Sequence, residues 1–387
     1  MAVRFLIILL TFYVMGFGDV RGSFVGIAKE VFGITAAQGS LIPFCGAVAF
    51  GLFAVPAGLL ATRRGKKFLM LTGLLITAAG HALPCFLLES YSHLVAAVFI
   101  IGLGMTCLLV SGNPLLREIT GPDRFARDLT FAQFVKALGS ITGPYLIAFI
   151  VTLGYTWREL FPVFTLLTLA TFLAVAAVPL PETIRVRPAT LRDMVRLLGV
   201  RNVQVKILGM FLFAGAEMGM NTWLATHMWQ THGMGIEVDA IRYGQGLFWV
   251  SQGIGRLLGS LALTWMEPRR FFLLCALAGL GGLGGLILGN RALAVGSVAL
   301  CGLSFSNIWP TLFSILLETR PRQAAEMAGL TVMANSGGAV MPWCMGLITD
   351  NSAVRWCFLV PVAAFVYLVL LGLGGRRPAP RRQPEAA

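Results

Sequence analysis

From Arg4 onward the chain alternates long, nearly unbroken apolar runs with short polar breaks. The runs cover approximately residues 4–28, 36–61, 68–88, 93–116, 129–152, 160–180, 205–230, 240–264, 271–289, 292–317, 326–349 and 355–375. A helix needs about 20 residues to cross a hydrocarbon core of about 30 Å, and each run meets that length. The pattern therefore predicts an all-α integral membrane protein with twelve transmembrane helices and no soluble domain. The first run lacks the small-residue cleavage pattern of a secretory signal, and its length exceeds a signal core, so it is expected to persist as a transmembrane helix.

The longest break, PETIRVRPATLRDMVRLLGVRN from Pro181 to Asn202, carries two prolines and a basic amphipathic piece and leaves six runs on each side. The expected organisation is a six-helix bundle over 1–180, a cytoplasmic linker over 181–204, a second bundle over 205–375 and a cytoplasmic tail over 376–387. A shift of 198 residues places Asp19 on Glu217, Gly139 on Gly337 and Pro144 on Pro342. Such a repeat predicts two pseudo-symmetric bundles, the architecture in which two lobes rock about a site near the bilayer midplane. Pro and Gly in the fourth, fifth, tenth and eleventh runs weaken local backbone pairing, which is tolerated where helices line protein or water, so these runs are expected to wall the cavity.

Composition supports the membrane reading: 57% of residues are hydrophobic and 12% charged, with mean hydropathy +0.80. A soluble fold could not hide that much apolar surface. The formal net charge of +13 raises the question of a nucleic-acid partner, but the basic residues follow the loops. Of the 30 Lys and Arg, 22 fall on alternate connections together with both termini, and five fall opposite: Lys29, Arg158, Arg242, Arg291 and Arg355. That asymmetry places both termini in the cytoplasm and points to a bacterial inner (plasma) membrane, with lipid rather than nucleic acid as the macromolecular environment. The seven cysteines form no C-x-x-C pair and no ligand set with the four histidines, and the Gly-rich run at 279–289 lacks a phosphate-binding context. No cofactor or metal is expected.

Five ionisable residues lie within the runs: Asp19, Arg21, Lys136, Glu217 and Arg256. An ionised side chain at mid-bilayer costs roughly 2.5–3.5 kcal/mol even on lenient insertion scales, so such residues face a cavity or one another. Asp19 and Glu217 are candidates for proton coupling, against the alternatives of a salt bridge and interhelical hydrogen bonding. Gln133 and Lys136, three residues apart, share a helix face. Three roles stand open for Lys136: a bridge to Asp19 or Glu217, attraction of an anionic solute, or the group that gains and loses the proton. Glu217 with Asn221 at i+4 makes a second polar face. Trp223 could stack on a sugar ring or anchor at the interface. Asn113, Asn307 and Asn335 are candidate cavity-polar groups or helix-packing contacts. Arg256 reads as a gating or snorkelling residue near the cytoplasmic side.

The chain resembles the major facilitator superfamily, and within it the fucose:proton symporter and fucose/galactose/glucose permease group. The resemblance runs through QGSLIPFCGAVAFGLFAVPAGLL (38–60), GNP (112–114), LTFAQFVKALGSITGP (129–144), AGAEMGMNTWL (214–224), GRLLGS (255–260), WPTLFSILLE (309–318) and GLTVMANSGGAVMPWCMGLITD (329–350). It implies that Gln133 and Lys136 face the central cavity. It also implies a gating role for the loop after the second span, against the alternative of charge that only sets topology; Gly58, Arg63, Gly65, Lys66 and Lys67 match there and Thr62 stands in place of an aspartate. Three departures concern coupling and substrate contact. Leu109 replaces a glutamate four residues before the NP pair, Gly22 aligns with the first-span aspartate while Asp19 lies one helical turn away, and Lys136 replaces a neutral amide.

These readings converge on a secondary active transporter of a small polar solute, a monosaccharide or derivative, working by alternating access with proton symport. The alternatives are an organic-anion or sugar-acid carrier and, from another class, a non-transporting membrane sensor or scaffold. No nucleophile, base and orienter constellation suggests an enzyme.

Overall fold

In the computed structural model the first run folds as two helices, α1 (Ala2–Phe17) and α2 (Ser23–Phe32), joined by a tight 3-10 turn over Gly18–Gly22. The structure describes residues 2–120, 122–180, 196–263, 265–319, 327, 330, 331 and 333–374. The tail expected over 376–387 and most of the linker expected over 181–204 lie outside the described residues. After the short α3 (Ala36–Gly39) come α4 (Leu41–Arg64), α5 (Lys66–Phe86), α6 (Tyr91–Thr120), α7 (Pro122–Thr152) and α8 (Leu160–Ala177). The second half holds α9 (Arg201–His232), a π-wound stretch over Ile236–Gly246 leading into α10 (Leu247–Ala262), α11 (Pro268–Leu288), α12 (Arg291–Phe305), α13 (Ile308–Thr319), α14 (Gly337–Asn351) and α15 (Leu359–Gly374).

Among the described residues ten helical stretches are long and apolar enough to cross a membrane. The π-wound 236–246 with α10 and the stretch from 333 through α14 supply the eighth and eleventh crossings, completing twelve. Several helices overrun their apolar runs. The fifth starts at Pro122 and the seventh at Arg201, because polar residues with good helix propensity extend the winding beyond the hydrocarbon.

The weakened backbone pairing expected in the fourth and fifth spans does not interrupt either helix: α6 passes Pro114 and α7 passes Pro144 continuously. The tenth and eleventh spans carry short turns at residues 306–307 and 335–336. A proline removes one backbone donor, and neighbouring helices in a packed bundle hold the winding in register.

The helices up to Ala177 pack as one lobe and those from Arg201 as another. The lobes repeat one packing device. In the first, α7 lies on α1 so closely that Gly139 faces the Tyr13 carbonyl; in the second, α14 lies on α9 so that Gly337 faces the Phe211 carbonyl. Tyr13 and Phe211 are separated by the same 198 residues as Gly139 and Gly337. Small residues allow helix backbones to approach, and within lipid such packing takes over much of the role that water exclusion has in soluble cores. Buried aromatic stacks fill the two lobes, Phe17 on Phe164 at 4.0 Å in one and Phe305 on Phe365 at 4.3 Å in the other. Leu166, Leu173, Leu370 and Leu373 point outward, as a lipid-facing surface requires.

Extensive contact between the lobes involves α2, α3, α4 and α7 on one side and α9, the π-wound stretch, α10 and α14 on the other. It is tightest at the end of the bundle opposite the first helix's start. There Asp350 of α14 accepts hydrogen bonds from the backbone N–H groups of Ala36 (2.6 Å) and Ala37 (2.8 Å), the first residues of α3. The Pro342 carbonyl accepts from Ser40 Oγ (2.9 Å) and from Trp223 Nε1 (3.1 Å). Gly346 leaves room for Ser40 and the backbone of Ala36 and Ala37. This end is sealed between the lobes.

Candidate substrate and coupling site

The 3-10 turn at Gly18–Gly22 sets the geometry of the midplane. It interrupts the regular winding of the first span and brings that span against the second lobe at Gly22, where a side chain would collide with the backbone carbonyl of Asn221. An aspartate at position 22, as the resembled pattern has it, is therefore sterically excluded. The first-span carboxylate sits at Asp19 instead.

Asp19 Oδ2 lies 3.3 Å from Lys136 Nζ and accepts a hydrogen bond from Ser140 Oγ at 2.7 Å. Both charged side chains are largely but not completely buried, with 13% exposure for Asp19 and 24% for Lys136. Of the three roles open for Lys136, this geometry realises the bridge to Asp19. Lys136 and Ser140 stand one turn apart on α7, and Gly16 and Gly139 let α7 come close enough to α1 for the pair to form.

On the other side Glu217 accepts from Gln252 Nε2 at 3.0 Å, and Gln252 Oε1 accepts from Arg256 Nη2 at 3.2 Å. Arg256 also reaches across the lobe boundary, donating through Nη1 to the Gln133 carbonyl at 3.0 Å. It does not snorkel outward: a one-turn step on α10 aligns Gln252 with Arg256, and their shared face points to the boundary. The relay Glu217–Gln252–Arg256–Gln133 thus connects the second lobe to the helix that carries Lys136.

Between the two acids lies a neutral network that sequence reasoning missed except for Asn221. Asn221 donates to the Asp19 backbone carbonyl at 2.6 Å and accepts from Trp249 Nε1 at 2.9 Å. Gln245 donates to the Asn221 carbonyl at 2.9 Å and to its side-chain oxygen, and Ser23 donates to Gln245. Ser23, Asn221 and Gln245 are each buried. A satisfied polar network in a low-dielectric interior fixes the relative position of its members, here two lobes. The missed residues gave one usable signal: Gln245, Trp249 and Gln252 recur at four- and three-residue steps, one face of a helix.

The remaining candidates divide. Asn113 is half-buried on α6, and its Oδ1 has no hydrogen-bond partner among the described residues. Asn335 is half-buried at the turn before α14. Asn307 faces into its own lobe, donating to the Gly255 carbonyl at 2.7 Å beside Gly259, and so joins the tenth span to α10. Trp223 is fully buried, its N–H held by Pro342 and its ring 5.7 Å from Lys29 Nζ, so it stands at the sealed end rather than facing the midplane. In the loop after the second span, Gly65 takes φ +92°, which favours glycine, and turns the chain from α4 into α5. Lys66 forms an ion pair with Glu118 at the end of α6, Arg63 is exposed, and Gly58 faces open space. Leu109 packs with the apolar core, with no acid in its place.

A two-lobed helical bundle with an ion pair, a carboxylate–amide–guanidinium relay and further amides enclosed at its lobe boundary defines a polytopic membrane protein of the transporter type. The chain belongs to the Major Facilitator Superfamily, whose family model matches residues 5–341. It is 26% identical over 362 residues to a glucose/galactose transporter of Brucella abortus, covering 90% of this chain and 88% of that one. Its fold is similar to that of a variant of the Escherichia coli fucose:proton symporter, with TM-score 0.68, 20% identity and coverage of 96% and 98%. It is also similar to a variant of the nucleoside transporter NupG, with TM-score 0.79, 13% identity and coverage of 96% and 99%.

Proposed function

We propose that the chain is a secondary active transporter that moves a monosaccharide or a close derivative together with a proton by alternating access. The observation that carries this reading is the pair of repeat-related acids, Asp19 and Glu217, each tied to a cation where the lobes meet: Asp19 directly to Lys136 and Glu217 through Gln252 to Arg256. The relatives named as glucose/galactose transporters and as a fucose symporter support a sugar as the solute.

In this mechanism a proton arriving at Asp19 neutralises the carboxylate and frees Lys136 and Ser140 from it. The backbone contact between Asp19 and Asn221 couples that local change to the second lobe. Gln133, Lys136, Glu217 and Asn221 bind the solute through hydroxyl hydrogen bonds, with Asn113 and Asn335 contributing from the helices that flank the boundary. The ion pair of Lys66 with Glu118 and the turn at Gly65 act at the opposite end as the second gate, with Gly58, Arg63 and Arg256 assisting. The protein resides in a bacterial inner membrane with both termini cytoplasmic, as the loop charges argue, so that the sealed end faces outward. It carries out no covalent chemistry on its solute.

Uptake by proteoliposomes containing the purified chain tests this reading. A panel of neutral sugars and sugar acids is offered with and without an inward proton gradient. Saturable accumulation of a neutral monosaccharide that collapses with a protonophore is expected. Absence of saturable flux for every sugar would refute it, and accumulation of sugar acids alone would transfer the site to an anion carrier.

A further inference from the structure

The first lobe encloses a small chamber behind the 3-10 turn. It is lined by Arg21, His81 and the rings of Phe17, Phe24, Phe161 and Phe164, and holds about 10 Å³ open to a water-sized occupant. Arg21 is 8% exposed and His81 2%. Arg21 Nε and His81 Nδ1 have no hydrogen-bond partner among the described residues. The Arg21 guanidinium sits 5.9 Å from the ring centre of Phe50 and against Gly46, where a side chain would strike it. The acid that acts most on it electrostatically is Asp19, whose carboxylate is engaged by Lys136 and Ser140. The five ionisable groups at the midplane comprise three cations and two acids, and Arg21 is the cation that neither acid ties up directly or through an amide.

From this geometry we infer that the chamber binds a single small inorganic anion of halide size, held by the Arg21 guanidinium with His81 at its side. The charge argument favours an anion, because a water molecule satisfies a donor but leaves an arginine uncompensated in a medium where that is costly. The lining agrees, since aromatic ring edges carry partial positive charge and complement an anion. Size excludes a sugar ring or a sugar carboxylate with its ring attached, because only about 10 Å³ is open to the centre of a water-sized sphere, room for one small ion and not for a ring. The site is distinct from the solute site and does not depend on which solute is carried.

Thermal unfolding of the purified full-length chain, without sugar, provides the test. Sodium chloride and sodium bromide are compared with sodium methanesulfonate, an anion too large for the chamber and unrelated to sugars, at equal ionic strength. A saturable rise of a few degrees in the unfolding midpoint with either halide is expected in the wild type, and is expected to vanish in Arg21→Gln. Should that variant not fold, bromide-specific anomalous scattering from wild-type crystals decides, with a peak beside Arg21 and His81 expected. Equal midpoints in halide and methanesulfonate, a halide response that survives in Arg21→Gln, or no bromide peak in the chamber would overturn the site. Stabilisation by carboxylated sugars but not by halides would also overturn it, by assigning the anion to the solute.

Discussion

Replacing Asp350 with Asn isolates the contribution of the sealed end. In the wild type both carboxylate oxygens accept backbone N–H groups of α3, at 2.6 and 2.8 Å, across the lobe boundary. Hydrogen bonds to a charged acceptor contribute about 1.5–3 kcal/mol each in general, but Asp350 is exposed, so solvent competition lowers the figure. Asn keeps one acceptor oxygen and turns an N–H₂ toward the second donor, losing one bond and the charge on the other. The net loss is about 1 kcal/mol, which shifts the balance between sealed and open outer ends by about 5-fold. Spin labels at Glu89 and Ser352, both exposed near this end, report the balance as a distance distribution. The Asp350→Asn variant is expected to move population toward the longer distance by that factor. An unchanged distribution would refute the assignment of Asp350 as a structural clasp between the lobes.

Three further outcomes follow from the same geometry. Gly139→Ala and Gly337→Ala each push a methyl group against a helix carbonyl, Tyr13 and Phe211 respectively, and are expected to destabilise by similar amounts, about 1–3 kcal/mol, read as lowered unfolding midpoints. A large effect at one site and none at the other would argue against equivalent lobes. Gln252→Leu removes the amide joining Glu217 to Arg256 and leaves the carboxylate without its hydrogen bond, and proton-driven accumulation is expected to fall about 10-fold in the vesicle assay, with the unfolding midpoint lowered as well. Gly22→Asp restores the carboxylate of the resembled pattern but places it on the Asn221 carbonyl, so loss of folded protein in size-exclusion profiles is expected rather than improved coupling.

The spans and the two-lobed architecture were legible because apolar length and a repeat period are properties of whole segments. The shift that aligned Gly139 with Gly337 also relates the contacts that these glycines make, Tyr13 and Phe211, which the sequence alone did not single out. Charged residues were equally visible, since each is costly in lipid, and the bridge between Asp19 and Lys136 was among the stated alternatives. Neutral polar residues were not. Ser23, Ser140, Gln245 and Gln252 carry smaller insertion costs and occur widely in membrane helices, so nothing local marks them as partners. The direction of a side chain was also hidden: Arg256 points along the boundary, not out of the membrane, and Trp223 points at Pro342. The prolines of the fourth and fifth spans leave no break, because neighbouring helices hold α6 and α7 in register around Pro114 and Pro144. The break at Gly18–Gly22 arises instead where two glycines bracket the pair of charges, a local cue whose meaning depends on the close approach of Asn221.

The central claim is that Asp19 takes up the proton that travels with the solute. A pH-sensitive dye sealed inside vesicles measures proton entry when sugar is added outside. Sugar-dependent acidification is expected from the wild type and none from Asp19→Asn, which should retain sugar exchange across the membrane. Acidification by Asp19→Asn at the wild-type rate would contradict the account.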